Sequence, residues 1–359
     1  MTVYVERRNN HKVRVNILEF TQKERFLRVL SRKEVDRVPT FLSGCLQSAT
    51  FDTMNQTGIF FPDAHRDPVK MASLSLATYK HTDIECVGVP FDLTVEAEVL
   101  GGTVIWKNEK DYIPTAKPSP DPTTDVKKLR VPEDLSNLAR VPVVLDALEI
   151  ISKESQSLPV AAGVTGPFTM AGSLIGAEKF FEWLFTEPEI VEHTIEICTD
   201  TSMKYVSLIQ EKDPDVITVC EPMASGTLIN SELFERFVSP YIRKIVKSCK
   251  PPIMLHICGK STSLVKNVID TGSKMFSVDE NVDITEAKKI AGDDLLLVGN
   301  ISPARTLLLG TKDDVVKETL VALEKGIDIL APGCGIPAKT PNENLLAMTR
   351  VVKNHRKKH

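Results

Sequence analysis

The sequence lacks the features that mark membrane-spanning, secreted and nucleic-acid-binding proteins. No apolar run approaches the roughly 20 residues that a transmembrane helix requires. Residues 1–16 are polar and basic, without the apolar core of a secretory signal. Charge of neither sign dominates, because 44 Lys and Arg face 48 Asp and Glu, and this balance predicts no nucleic-acid or membrane partner. We therefore expect a cytoplasmic protein.

The cysteines do not form the pattern of a disulfide framework. There are seven of them, an odd number, and their spacing is irregular, which favours a reducing compartment. In such a compartment a cysteine serves as a buried apolar side chain or as a thiolate ligand. Hydrophobic residues make up 42% of the 359 residues, so a large core needs no covalent support.

After about residue 159, short apolar runs alternate with longer amphipathic segments, as buried parallel strands alternate with helices. No Gly-rich phosphate fingerprint follows the first of these runs, which disfavours the alternative of a doubly wound open sheet. We predict an α/β fold, a (β/α)8 TIM barrel, as a single domain over residues 18–359 behind a polar extension at 1–17. The predicted strands are 159–163, 216–219, 253–257, 275–278, 295–298 and 327–331, and the predicted helices are 189–210, 231–248, 261–270, 313–325 and 342–355.

The first part of the chain predicts a helical and hairpin elaboration of the barrel. Residues 17–38 have the pattern of a helix, with Thr21 as a possible N-cap. Residues 94–100 and 103–106 flank a Gly-Gly pair and predict a hairpin. The proline-rich residues 114–122 predict an irregular surface segment.

Two polar side chains at the end of one predicted strand are the most informative residues. His256 and Cys258 are two positions apart and therefore point to the same side of the strand, and Gly259 allows the backbone to turn away. Cys334 follows another predicted strand, and the carboxyl ends of barrel strands converge. One His and two Cys would leave the fourth position of a tetrahedral zinc open, as in catalytic sites. The alternative is that these cysteines are small buried apolar side chains.

With these residues the chain resembles the uroporphyrinogen decarboxylase superfamily, and within it the methylcobalamin:coenzyme M methyltransferases of methanogenic archaea. The resemblance runs from about Leu18 to the C-terminus and implies a TIM barrel with zinc bound by His256, Cys258 and Cys334. Its motifs include Val35-Asp36-Arg37-Val38-Pro39, Val89-Pro90-Phe91-Asp92-Leu93-Thr94, Leu255-His256-Ile257-Cys258-Gly259, Gly299-Asn300-Ile301-Ser302-Pro303 and Leu330-Ala331-Pro332-Gly333-Cys334-Gly335.

The decarboxylases of this superfamily carry an arginine-rich segment, Met-Arg-Gln-Ala-Gly-Arg, that grips the substrate carboxylates. The matching residues 42–48 contain no arginine, so the resemblance favours the methyltransferase branch. A decarboxylase-like enzyme, a methyltransferase for another thiol such as homocysteine, and a barrel that only binds a corrinoid protein remain as alternatives.

The resemblance implies zinc-dependent transfer of a methyl group from a methyl-Co(III) corrinoid to a small thiol, coenzyme M, in methanogenesis. A free thiol has a pKa of about 8.5, and binding to zinc deprotonates it. The thiolate then attacks the methyl carbon and releases Co(I). The sequence has no Asp-x-His-x-x-Gly corrinoid motif, since the segment at Asp63-Ala64-His65 lacks the glycine. The corrinoid is therefore expected free or on a separate corrinoid protein.

Six further polar residues are interpreted as parts of the site. Asp279 follows the next predicted strand and would fill the open zinc position or accept the thiol proton, with Glu280 as the second choice; a carboxylate that caps a loop is the alternative. Asn300 and Ser302 would bind the anionic group of the acceptor, as would Arg305 if it reaches inward; a solvated arginine at a helix start is the alternative for Arg305. The predicted catalytic residues are thus Asp279 and Glu280, and the predicted substrate-binding residues are Gln47, Asp92, Asn300 and Ser302.

Overall fold

Seven parallel strands form one curled sheet in the computed structural model, which describes residues 19–42 and 48–355 and, as backbone only, residues 2–6 and 12–16. The strands are β1 Thr2–Glu6, β2 Lys12–Asn16, β3 Val87–Val89, β4 Thr103–Ile105, β5 Thr115–Lys117, β6 Val160–Thr165, β7 Val216–Cys220, β8 Ile253–Ile257, β9 Met275–Val278, β10 Leu296–Ile301 and β11 Ile329–Pro332. The order across the large sheet is β11-β10-β9-β8-β7-β6-β3, while β1 pairs with β2 and β4 pairs with β5, both antiparallel.

Residues 39–41 occupy the eighth position of the sheet. Thr40 forms a parallel bridge to Leu330, and the Phe41 N–H donates to the Leu330 carbonyl at 2.8 Å. On the opposite side, the Glu85 N–H donates to the Thr40 hydroxyl oxygen at 3.1 Å, two residues before β3. The short segment thus lies between the first and last strands of the sheet. The predicted TIM-barrel fold is confirmed.

The helices lie mainly between successive strands, as parallel connections require. They are α1 Gln22–Leu30, α2 Phe51–Thr57, α3 Phe61–Ala64, α4 Pro68–Thr82, α5 Val95–Val99, α6 Pro122–Asp125, α7 Val141–Glu154, α8 Pro167–Ile175, α9 Ala177–Thr186, α10 Pro188–Gln210, α11 Ser231–Phe237, α12 Ser239–Ser248, α13 Val265–Thr271, α14 Ile284–Ala291, α15 Lys312–Glu324 and α16 Asn342–Asn354. A π-helix, Pro303–Leu308, follows β10. No helix in the described part of the chain combines the length and apolar character that crossing a bilayer requires.

The six strands predicted after residue 159 are all present, with their ends displaced by at most three residues. Every residue of β6 to β11 is buried, which explains why these strands appear in the sequence as continuous apolar runs. The predicted helix 231–248 is divided into α11 and α12 at Val238, because Pro240 lies in the first turn of α12 and cannot continue the preceding helix.

Two predictions for the first part of the chain are wrong in detail. Of the helix predicted over 17–38, the described residues 19–38 are helical only at Gln22–Leu30. Thr21 is its N-cap as predicted, and forms a capping box with Glu24. The helix ends at Ser31, and Arg32 then takes a positive φ of 53° that no helix continues.

The predicted hairpin pairs the wrong segments. Residues 95–99 form helix α5, and β4 pairs instead with β5, inside the proline-rich segment that was expected to be irregular. The Val-Glu-Ala-Glu-Val pattern alternates as a strand does, but it also fits one turn and a half of helix. Tertiary contacts decide, because Glu96 accepts hydrogen bonds from Thr165 and Glu98 pairs with Arg140.

Candidate metal centre

Three side chains from two distant segments meet at the carboxyl ends of the barrel strands, which we call the mouth. His256 lies in β8, Cys258 directly follows it, and Cys334 is two residues beyond β11. Their ligating atoms all lie within 4.8 Å of one another. The Cys258 sulfur is 3.2 Å from His256 Nε2 and 3.2 Å from the Cys334 sulfur.

Glycines beside the two cysteines allow this convergence. Gly259 has a φ of +75°, in the region that glycine favours, and a Cβ there would lie 2.5 Å from a serine oxygen. At Gly333 a Cβ would lie 2.8 Å from the backbone nitrogen of Glu280, so only glycine lets the end of β11 approach the end of β9 so closely. Cys334 is placed by this close approach.

The donor atoms of this group fit zinc. Two sulfurs and one imidazole nitrogen are the set that zinc prefers, and three protein ligands leave one position for a substrate. Of the His, Cys, Asp and Glu side chains in the described part of the chain, only His256, Cys258 and Cys334 form such a group. The hydrogen bond between the two sulfurs lowers the pKa of Cys334 to about 4 and raises the pKa of Cys258.

Two carboxylates lie in the turn after β9, the strand next to the one that holds His256. The Asp279 charge is close enough to raise the pKa of the Cys258 thiol, and Asp279 Oδ1 accepts from the Asn281 N–H at 2.9 Å. Burial and the Asp279 charge raise the pKa of Glu280. Asp279 therefore caps its own turn, and its charge acts on the Cys258 thiol, so both interpretations of this residue are compatible with its position.

Asn300 and Ser302 hold that turn in place. The Asn300 amide donates to the backbone carbonyls of Asp279 at 3.4 Å and Val282 at 3.1 Å. The Ser302 hydroxyl donates to Glu280 Oε1 at 3.1 Å and accepts from the Arg305 N–H at 3.2 Å. Because these donors are used within the protein and a carboxylate adjoins Ser302, the geometry lends no support to their predicted contact with an anionic acceptor.

The remaining predicted residues lie away from the three ligands. Asp92 is fully buried, with Arg140 donating to its two oxygens at 2.7 and 3.0 Å and His65 Nδ1 at 3.0 Å. Its carboxylate is thus one half of a buried ion pair with Arg140, which does not support contact with a corrinoid. The Arg305 side chain is 74% exposed and lies 3.5 Å from Glu318. Gln47 lies outside the described residues.

The sequence did not reveal two buried carboxylates at the mouth. Glu221 follows β7 and accepts from the N–H groups of Phe168 at 3.0 Å and Thr169 at 2.8 Å, so it caps the first turn of α8. A Cβ at Gly166 would lie 2.0 Å from the Glu221 carboxyl carbon, so glycine makes room for this cap. Burial raises the pKa of Glu221, and likewise that of Glu96, to about 7. The Gly-Pro start of α8 was the available signal.

Replacing Glu221 with Gln should flatten the pH dependence of stability between about pH 4.5 and 7. A carboxyl whose pKa rises from 4.5 to about 7 on folding keeps its proton longer in the folded state. Stability therefore falls as the pH rises through this window. Thermal unfolding of wild type and Glu221→Gln at several pH values measures the slope, with Glu96 supplying what remains of it. An unchanged slope of stability against pH in Glu221→Gln would contradict this account. Glu189 is exposed, so Glu189→Gln is the control and should leave the slope as in the wild type.

The chain matches known proteins over nearly its whole length. The sequence model of the family described as uroporphyrinogen decarboxylase (URO-D) matches residues 21–355. The chain is 37% identical over 332 residues to the methylcobamide:CoM methyltransferase MtaA of Methanosarcina barkeri, covering 92% of this chain and 97% of that protein. It is 35% identical over 343 residues to the methylcobamide:CoM methyltransferase MtbA of Methanosarcina acetivorans, covering 94% and 99%. A solved methyltransferase from Methanosarcina mazei superposes with a TM-score of 0.87 at 34% identity, covering 94% of this chain and 99% of that one.

Proposed function

The chain belongs to the uroporphyrinogen decarboxylase (URO-D) family, and from this membership we propose that it is a methyltransferase that moves a methyl group from a methyl-corrinoid to coenzyme M. The meeting of His256, Cys258 and Cys334 within 4.8 Å is the observation that carries the proposal. The relatives named as methylcobamide:CoM methyltransferases, at 35% and 37% identity over almost the full chain, support the same reaction and the same acceptor.

A decarboxylase activity has less support. Residues 42–48 contain no arginine, so this segment cannot supply the cationic anchors that a polycarboxylate substrate requires. Two thiols and an imidazole beside the mouth would also have no task in a reaction that needs no metal. Homocysteine as the acceptor is the second candidate, because the ligand set by itself does not distinguish one small thiol from another.

Zinc, when bound by the three ligands, would stabilise the acceptor thiol as its thiolate. The chain's own residues prepare that site. His256 would hold the ion as the neutral imidazole through Nε2, and Cys258 and Cys334 would hold it as thiolates. Their two negative charges offset the charge of the ion, which leaves the acceptor sulfur electron-rich. Asp279, whose charge acts on the Cys258 thiol, would take up the proton that the acceptor loses.

The methyl donor enters at the mouth as a substrate. No Asp-x-His-x-x-Gly segment is present in the sequence, so the corrinoid comes free or on a separate corrinoid protein. The reaction takes place in the cytoplasm, a location consistent with the six cysteines of the described part of the chain being thiols rather than disulfides.

An assay with methylcobalamin and a set of thiols tests the function. We expect loss of the methyl–cobalt absorbance with coenzyme M, no loss with homocysteine, and about one zinc ion per chain. Turnover with homocysteine but not with coenzyme M would identify homocysteine as the acceptor in place of coenzyme M. Conversion of uroporphyrinogen without any methyl transfer would overturn the proposal.

Replacing Asp279 with Asn should slow methyl transfer most at low pH. A positioned carboxylate that accepts a proton contributes about 100-fold or more to a rate, and this contribution is not needed once the free thiol, with a pKa of about 8.5, is already ionised. Rates from pH 6 to 9.5 should therefore converge at the alkaline end. Equal rates at every pH would remove Asp279 from the mechanism. Asp283→Asn on the same turn, where Asn caps α14 as well as Asp does, is the matched control.

A further inference from the structure

Ser277 lies on the side of the His256 ring that faces away from the sulfurs. The Ser277 hydroxyl oxygen is 2.9 Å from His256 Nδ1, and both side chains are fully buried. The two residues are direct partners in the parallel ladder between β8 and β9. The other ring nitrogen, Nε2, is 3.2 Å from the Cys258 sulfur. Each nitrogen of the imidazole thus has its own neighbour.

This arrangement decides which nitrogen carries the proton when a metal is bound. A neutral imidazole has one N–H, and the nitrogen that binds a metal must offer its lone pair instead. Because Nε2 faces the sulfurs, Nδ1 has to hold the proton, and Ser277 Oγ is the acceptor within hydrogen-bond distance. A serine hydroxyl can donate or accept, so in the metal-bound protein it accepts.

We propose that Ser277 is a positioning residue of the metal centre: its oxygen accepts the Nδ1–H of His256 and fixes both the tautomer and the rotation of the ring. The inference rests on the proposed function, because it assumes that His256 is a metal ligand. Partners of this kind, which hold the second nitrogen of a ligating histidine, typically change metal affinity by about 10- to 100-fold.

The sequence context supports a dedicated role for this hydroxyl. Strand β9 is otherwise apolar, with Met275, Phe276 and Val278, and its one hydroxyl has His256 as a partner. Thr218, on β7 at the other side of β8, provides a contrast, since its buried hydroxyl has no hydrogen-bond partner in the described part of the chain. Ser277 in β9 and Asp279 directly after β9 are two residues apart, so the same end of this strand supplies both the hydroxyl beside the histidine and the carboxylate whose charge acts on Cys258.

A pair of variants with the same shape isolates the hydrogen bond. Ser277→Thr keeps the hydroxyl, and Ser277→Val replaces it with a methyl group of similar size. We expect the zinc dissociation constant, from competition with a chromogenic chelator, to rise about 10- to 100-fold in Ser277→Val and to stay near the wild-type value in Ser277→Thr. The absorption bands of the cobalt-substituted protein should shift only in Ser277→Val. Thr218→Val is the control for loss of a buried hydroxyl.

Equal zinc affinity in Ser277→Thr and Ser277→Val, or an equal loss in Thr218→Val, would overturn the inference. Wild-type protein that binds no zinc would overturn the proposed function as well, whereas zinc-binding wild type with unaffected Ser277 variants would overturn this inference alone. Nitrogen NMR of the zinc-loaded wild type, labelled at histidine, needs no variant. It should show a protonated Nδ1 and a metal-bound Nε2 for His256, and the reverse assignment would contradict the role of Ser277.

Discussion

Replacing Cys258 with Ala is expected to lower methyl transfer to coenzyme M by about 10³-fold and to remove most of the bound zinc. The ion would lose one of three protein ligands, and a metal that activates a nucleophile contributes several kcal/mol, where each 1.4 kcal/mol is tenfold in rate. The Cys258 sulfur is also the atom that lies within 3.2 Å of both other ligands, so its loss opens the centre of the group. Zinc content and the rate are measured on the same sample.

The same substitution at Cys249 is the matched control. Cys249 follows α12, is partly exposed, and is not part of the group of three, so Cys249→Ala should keep both zinc and activity. Cys334→Ala should resemble Cys258→Ala, and the double variant should be little worse than either, because residues that act as one unit are not additive. Full zinc content and an unchanged rate in Cys258→Ala would contradict the assignment.

Replacing Arg140 with Met is expected to destabilise the protein by about 3–5 kcal/mol, because it leaves the buried Asp92 charge without its partner. Arg140 donates to both oxygens of Asp92 and also pairs with Glu98. Burial alone would raise the pKa of Asp92, but the Arg140 charge and the hydrogen bond from His65 hold it well below its usual range. Urea unfolding near pH 7 measures the free-energy change.

A double variant and the pH dependence distinguish an unpaired charge from lost packing. Arg140→Met with Asp92→Asn should recover a large part of the loss, since no buried charge then remains unpaired. In the wild type, the stability that Asp92 confers is present above its unfolded pKa of about 3.9 and is lost as the pH falls below it. In Arg140→Met the Asp92 pKa rises, so the difference from wild type should shrink in acid. A double variant that is no more stable than the single one would contradict this account.

The strands and the candidate metal ligands that the sequence predicted are those that a short stretch of sequence is enough to identify. Strands β6 to β11 are buried on all sides and therefore appear as uninterrupted apolar runs. His256 and Cys258 share one face because side chains alternate along a strand, and the barrel brings Cys334 to the same end. These inferences need only the period of a strand and the direction of its end.

What the sequence did not reveal depends on contacts between distant segments. Residues 95–99 have an alternating pattern but are helical, because Glu96 and Glu98 each find a partner far along the chain. Asp92 lies in a conspicuous motif, yet Arg140, 48 residues away, determines its burial. The amide of Asn300 serves two backbone carbonyls of another loop. The sequence around each of these residues does not show whether its side chain contacts another part of the protein or a substrate.

X-ray absorption at the zinc edge, with and without coenzyme M, tests the central claim most directly. If His256, Cys258 and Cys334 hold the ion and leave one position for the acceptor, the fitted environment should contain two sulfurs in the free enzyme and three after the thiol is added. A sulfur count that stays the same on addition of the thiol, or an environment without sulfur, would contradict the account.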